Sequence, residues 1–407
     1  MLRRVLLVVA IAAVAPGCST VKGWFGGSSK NEANEPAELT RLAAPIGVSK
    51  LWDASLGEGE GRLWLRQHPA LDGNRIYATN DKGEVVALDA GTGKRIWVAN
   101  AVSVEKTGSW VTFWKRKAPE AGLTSSPGVG SGLVVVGGRN GEVVAFAADS
   151  GEQKWSARVT SEVLSAPRVT ADRVIVRAND GRVFGLDLAD GTRKWVFDRG
   201  LPALTVRGNS TPVGAHGLTF IGYDDGSLVA VRDQDGLQVW EQVVAEPDGR
   251  TELERMADVD GEIVIDGDQL YVASAHDKVM ALVAPTGQPL WVHDVGSYGG
   301  VAVAGDKVLL SDRGGNVWGL DRNSGNPAWK QNLLERRQLT TPVVHGEYAV
   351  VGDLEGYLHW IKLDTGDVVG RTRIDRAAVR GTPQVSPEGV LYALSNEGEL
   401  AAFRLGN

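Results

Sequence analysis

The chain holds one cysteine in 407 residues, Cys18, which excludes an intramolecular disulfide framework and a thiolate metal cluster. Positive charge is also short. Lys and Arg number 43 against 50 Asp and Glu, the net charge is −7, and the pI is about 5.5. The electrostatic footprint of a general nucleic-acid binder is missing, so no nucleic-acid partner is expected. The six histidines (68, 216, 276, 293, 345 and 359) show neither His-x-x-x-His nor HExxH spacing. No G-x-S-x-G elbow, P-loop or G-x-G-x-x-G occurs. Asp258-Val259-Asp260-Gly261-Glu262 has the start of a calcium loop without an EF-hand's later ligands. The sequence therefore predicts no catalytic residues, no metal, no bound cofactor and no enzymatic activity. Beyond residue 15 no apolar run approaches the ~20 residues that span a bilayer as a helix.

The first residues account for the lone cysteine. Arg3 and Arg4 precede an apolar run from Val5 to Ala15, too short for a stable span and suited to the core of an export signal. Cys18 follows directly, in the place where a bacterial lipoprotein signal carries its acylated cysteine. Ala15 and Pro16 depart from that motif, and an ordinary secretory signal with an incidental cysteine fits the same residues. On the lipoprotein reading, 1–17 is the signal peptide and Cys18 the lipidation site. Ser19, rather than Asp, then directs the anchor to the outer membrane. Several acyl chains hold a protein on a membrane indefinitely. Residues 18–45 read as a flexible tether spanning roughly 30 Å, with Trp24 and Phe25 near the lipid.

Glycine is abundant, at 52, and so is tryptophan, at 13. Both belong to an internal repeat. ALDAGTGKRIW ends at Trp97, and related segments end at Trp155, Trp195, Trp240, Trp291 and Trp329; a degenerate copy ends at Gly370. Each has a glycine four residues earlier: Gly93, Gly151, Gly191, Gly236, Gly287, Gly325 and Gly366. Upstream of each of these seven lies a hairpin, and an eighth follows the last, with turns near Asp81, Asn140, Asp180, Asp225, Asp277, Gly314, Glu355 and Glu397. A proline opens most first strands: Pro69, Pro127, Pro167, Pro212, Pro342 and Pro383.

Eight hairpins predict eight four-stranded antiparallel units. The last unit stops at Phe403-Arg404-Leu405 without its tryptophan strand, while Trp52 stands orphaned before the first. Residues near 48–54 therefore complete the last sheet. The expected fold is all-β, an eight-bladed β-propeller over 46–407 whose ring is closed by the N-terminal strand. A closed ring leaves few edges for self-association, so a monomer is expected. The tryptophans could be stacking platforms for sugars or bases, but their constant place in each unit favours blade-to-blade packing.

The Gly-x-x-x-Trp repeat resembles that of pyrroloquinoline-quinone (PQQ) dehydrogenases and their non-enzymatic relatives. VVGDLEGYLHWI (350–361), LPALTVRGNSTP (201–212) and TELERMADVD (251–260) narrow the resemblance to the outer-membrane assembly lipoproteins of the BamB family. The dehydrogenases with this repeat carry adjacent cysteines under the cofactor, which this chain lacks. The resemblance implies a scaffold at the outer membrane that faces the periplasm and holds the POTRA domains of the barrel insertase BamA. The family's partner-binding positions fall on Leu204, Val206 and Arg207, and on Asp258 and Asp260; Val206 departs conservatively from Leu.

Spacing independently puts 196–211 and 241–261 on one face, each following a tryptophan strand of adjacent blades. An apolar centre with an Arg and a charged rim suits a transient interface. The alternative is that these loops fold back and bury those side chains. The long connection 98–126, with Trp110, Phe113 and Trp114 beside Lys115, Arg116 and Lys117, fits a pinned insertion or a second contact. Open blade edges would suit extended segments of nascent outer-membrane proteins. A periplasmic ligand-binding or quinoprotein-type propeller is the other functional class that this fold serves.

Overall fold

The computed structural model describes residues 35–57, 59, 65–80, 82–101, 122–200, 210–246 and 257–406. Among them there is no helix; the strands form eight four-stranded antiparallel sheets. Blade 1 consists of Ala70–Asp72, Arg75–Thr79, Glu84–Asp89 and Arg95–Asn100. Blades 2 to 7 follow over 128–158, 168–197, 213–243, 264–293, 301–331 and 343–373. Blade 8 takes 384–405 and borrows Val48–Ser55 as its outer strand, with Val48 opposite Leu405 and Ser55 opposite Glu399. The N-terminal strand closes the ring as the orphaned Trp52 implied.

The second and third strands of each blade are buried on both faces, which is why segments such as Leu133–Gly137 (LVVVG) are apolar throughout. Such strands suit a sheet sandwiched between two neighbours. The apolar interior is accordingly divided into eight clusters, each shared by two adjacent blades, including one between blades 8 and 1. Outer strands alternate half-buried with exposed positions, as in Arg95–Asn100 and Gln238–Val243.

Each repeat glycine serves the tryptophan of the preceding blade, not the one four residues after it. Trp155 of blade 2 lies on Gly191 of blade 3, Trp195 on Gly236, and Trp52 of blade 8 on Gly93 of blade 1. At the seven repeat glycines φ is 70–78°, a left-handed turn conformation that glycine adopts without strain. A Cβ there would stand 2.4–2.7 Å from an indole atom. The indole Nε1 donates to a carbonyl of the same turn, for example Trp155 to Leu188 at 2.9 Å and Trp52 to Ala90 at 3.0 Å. Opposite the ring, on the third strand, stands a small residue: Ala145 faces Trp155 and Gly185 faces Trp195. Gly191→Ala therefore combines a left-handed backbone with an overpacked ring, and should cost about 2–4 kcal/mol. Urea unfolding of the variant checks this; a loss below about 1 kcal/mol would mean that the indole moves aside.

Blade 7 reverses the arrangement. Trp360 sits on the third strand and Gly370 opposite it on the outer one. Trp360 is fully buried and donates to His345 Nδ1 at 3.1 Å, and His345 Nε2 donates in turn to Gly389 O at 3.0 Å, on blade 8. Ile46 fills the place that a tryptophan at 370 would have taken.

The compact unit starts at Ala37 rather than at residue 46. Residues 37–45, which composition assigns to the tether, run with Ile46 along the outer strand of blade 7. Ala37 N donates to Glu335 O at 3.0 Å and Ile46 N to Val369 O at 2.8 Å. Arg337 and Arg371 donate to the Ala37 and Thr40 carbonyls. Leu39 and Ile46 pack into the adjoining apolar clusters, and the edge of this blade is thereby covered.

Candidate docking face

Strands alternate in direction, so the turn between second and third strands and the connection leaving each outer strand share one face. Both candidate segments lie there, at the junctions of blades 3 with 4 and 4 with 5. Leu204, Val206 and Arg207 lie outside the described residues, as do Cys18, Glu252, Glu254 and residues 102–121 with their aromatic and basic cluster. The bases of the two segments are described, and they are bound together through the turn Tyr223–Gly226 of blade 4. Ser210 Oγ accepts from Gly222 N at 2.9 Å. Val259 N donates to Tyr223 O at 3.0 Å, and Val244 N to Gly226 O at 2.9 Å. Gly222 is required by close approach, because a Cβ would stand 2.1 Å from Val259 O.

Beneath this turn lies Arg177, at the end of the second strand of blade 3 and only 1% exposed. It donates to Asp224 Oδ1 at 3.1 Å and to Ser210 Oγ at 3.2 Å. Asp260 Oδ1 lies 3.9 Å from its Nη1. The guanidinium groups of Arg177 and Arg199 stand 5.0 and 5.1 Å from the centre of the Tyr223 ring. Arg199 continues the network outward to Asp225 at 2.6 Å and Glu241 at 2.8 Å. Burial opposes its charge, but those two carboxylates outweigh burial and hold Arg199 above its ordinary range. Burial also pushes the Tyr223 hydroxyl up to about 12.

The acidic pair occupies the underside of the face. Asp258 is 1% exposed, and the Asp260 side chain 8%. Asp224 and Asp260 face the guanidinium of Arg177, and Asp258 lies near enough to Asp260 to act on its charge. Burial raises Asp260 well above the usual carboxylate range; Arg177 pulls it back, and Asp224 and Asp258 push it up further. A raised folded-state pKa means that the proton is bound more tightly by the folded protein. Its stabilising contribution is complete below the unfolded value of ~3.9 and is lost as pH rises through the folded value. Asp260→Asn should remove that part of the pH dependence and leave the variant at least as stable as wild type at pH 7. Melting temperatures between pH 4 and 8 test this, and parallel profiles for the two proteins would refute it.

The spacing of the sequence brought the two segments to one face but left out Arg177, Asp224 and Tyr223. A signal existed. The position of Arg177 is held by small residues in most blades: Thr79, Gly137, Gly222, Ala273, Ser311 and Gly352. A charged side chain there has nowhere to go but between blades.

The family model for outer membrane protein assembly factor BamB matches residues 37–107 and 101–331. The outer membrane protein assembly factor BamB of Xanthomonas campestris is 44% identical over 100% of this chain and 98% of its own. That of Pseudomonas aeruginosa is 39% identical over 98% of each. The crystal structure of BamB from Moraxella catarrhalis superposes with a TM-score of 0.78 at 25% identity, over 88% of this chain and 100% of that one. With a family match over most of its length and full-length relatives well above 30% identity, the chain belongs to the outer membrane protein assembly factor BamB family, whose members assist assembly and are not enzymes.

Proposed function

We propose that the chain is a lipid-anchored scaffold of the outer-membrane β-barrel assembly machinery, held by Cys18 and facing the periplasm. Its upper face, through 198–210 and 244–260, docks on the POTRA domains of the insertase BamA. Leu204, Val206 and Arg207 supply the contact. Asp258 and Asp260 belong to the same site and act from beneath, as positioning residues. The observation that carries this reading is the shared base of the two segments: one buried cluster, Arg177 with Asp224 and Asp260, braces both. Pre-organised loops lose less freedom on binding. Nascent outer-membrane proteins are proposed to pair with open blade edges, where Val239, Val243, Leu290 and Val292 are exposed on blades 4 and 5.

The test is binding of residues 19–407 to the isolated POTRA domains of the host's insertase. Leu204→Ala/Arg207→Ala should weaken binding at least about tenfold with the melting temperature unchanged, because truncating an apolar and Arg centre removes contact and not core. Asp258→Ala/Asp260→Ala should weaken binding and lower the melting temperature together, whereas Asp260→Asn should keep both. Undiminished binding by both double variants would move the interface elsewhere, to 98–126 first.

A further inference from the structure

At the centre of the same face the eight blades enclose an axial cavity of about 490 Å³. That volume lies in the range of small-molecule sites. Every blade contributes to its wall, so it lies on the ring axis. Arg66, Arg313 and Arg380, from blades 1, 6 and 8, line one arc, and Asp260 and Glu262 of blade 5 line the other; Asp312 of blade 6 is also in the wall, its carboxylate accepting from Asn316 and Trp318.

Arg66 and Arg313 converge on Tyr298. Arg66 reaches across to donate to the Tyr298 carbonyl at 2.6 Å, and the Arg313 guanidinium lies 5.7 Å from the centre of the Tyr298 ring. Arg66 and Gln338, another lining residue, have φ of 54° and 51°. Non-glycine residues held in this region gather at ligand clamps. The opposite wall has polar atoms without a hydrogen bond among the described residues. Ser165, 6% exposed, has its buried Oγ in no hydrogen bond among the described residues. Asp260 Oδ1 is likewise buried and without a hydrogen bond, with only the distant ion pair to Arg177 at 3.9 Å. Native interiors rarely leave such atoms unmatched unless something else meets them.

We infer that the cavity binds a small polar molecule whose carboxylate or phosphate group meets the arginine arc and whose hydroxyl or amino groups meet Ser165 and Asp260. Guanidinium groups recognise both kinds of oxyanion by paired, charge-assisted hydrogen bonds. The site shares Asp260 with the proposed docking face but none of its loop-tip contacts, and its arginine arc lies on other blades, so ligand binding is tested without that reading.

The experiment is calorimetric titration and thermal shift of the full chain with citrate, glycerol 3-phosphate, inorganic phosphate and, as a control, glycerol. We expect saturable binding of citrate or glycerol 3-phosphate, weakened by added salt; which of the two binds more tightly identifies the oxyanion. Arg66→Asn/Arg313→Gln should weaken it at least about tenfold, since two charged donors are lost. Asn tolerates the left-handed backbone at 66. Arg380→Gln serves in its place if the double variant does not fold, and Ser165→Val should weaken glycerol 3-phosphate more than inorganic phosphate. Absence of binding by all three anions at about 10 mM, a site at which glycerol competes equally, or affinity untouched by the arginine substitutions would each overturn the assignment. So would binding of an acidic peptide such as hexaglutamate when the small anions do not bind.

Discussion

Arg177→Met should destabilise the fold by about 3–5 kcal/mol, the cost of leaving buried charge without its counterion. The side chain is almost entirely enclosed, and its guanidinium faces the carboxylates of Asp224 and Asp260. Methionine fills much of its volume, so a cavity contributes little to the loss. What changes is the charge. The carboxylates must then bind protons or draw in water, and the turn Tyr223–Gly226 loses both the ion pair to Asp224 and the cation beside its ring. The loss should shrink on acidification, because protonated carboxyls need no counterion. Asp224→Asn in the same chain should restore part of the stability, and a double-mutant cycle measures that coupling. A shift below about 1 kcal/mol at pH 7 would show that these carboxyls are already neutral there. Because the cluster braces both docking segments, POTRA binding should fall with it.

Removing residues 1–56 should abolish the closed monomer. Val48–Ser55 is the outer strand of blade 8, and its loss bares the edge of Glu399–Leu405 along its whole length. Trp52 goes with it, which empties the place on Gly93 and the contact with the Tyr392 ring at 5.8 Å. Deleting one buried large aromatic alone costs about 3–5 kcal/mol. An unpaired apolar edge adds a route to association. Light scattering should therefore find dimers or larger species, with a lower and broader melting transition. A synthetic peptide of residues 46–57 added in trans should restore the monomer. A truncated chain that stayed monomeric with an unchanged melting temperature would mean that blade 8 does not need its fourth strand.

Most of the ring could be read from the amino acids because its packing rule is local and repeated. A glycine that must turn left-handed under an indole cannot vary, so the Gly93 to Gly366 series marks every junction in turn. The missing tryptophan after Phe403 and the spare Trp52 then specify closure. Other features are invisible to any repeat. Residues 37–45 have a tether's composition, yet Leu39 and the adjoining Ile46, meeting apolar clusters of blades 6 to 8, and hydrogen bonds to both blades 6 and 7 hold the segment down. The direction of Asp258 and Asp260 was equally hidden. It depends on Arg177, which lies about 80 residues earlier and two blades away. Spacing shows which face a loop reaches, while which way its side chains turn depends on partners contributed by other blades.

Ring closure also sets an order of events in time. The chain emerges N-terminus first, so among the described strands Val48–Ser55 comes first, yet its partner Glu399–Leu405 comes last. Seven blades can form from their own contiguous strands as the chain emerges, whereas Val48–Ser55 has to wait, exposed, until residues 399–405 have emerged. Closing so long a loop costs little more entropy than closing a short one, since the cost grows only with the logarithm of length. The delay is therefore one of availability and not of stability. A chain interrupted anywhere before residue 399 carries a sticky first strand with nothing to pair with, which makes premature termination a hazard for aggregation as well as for function.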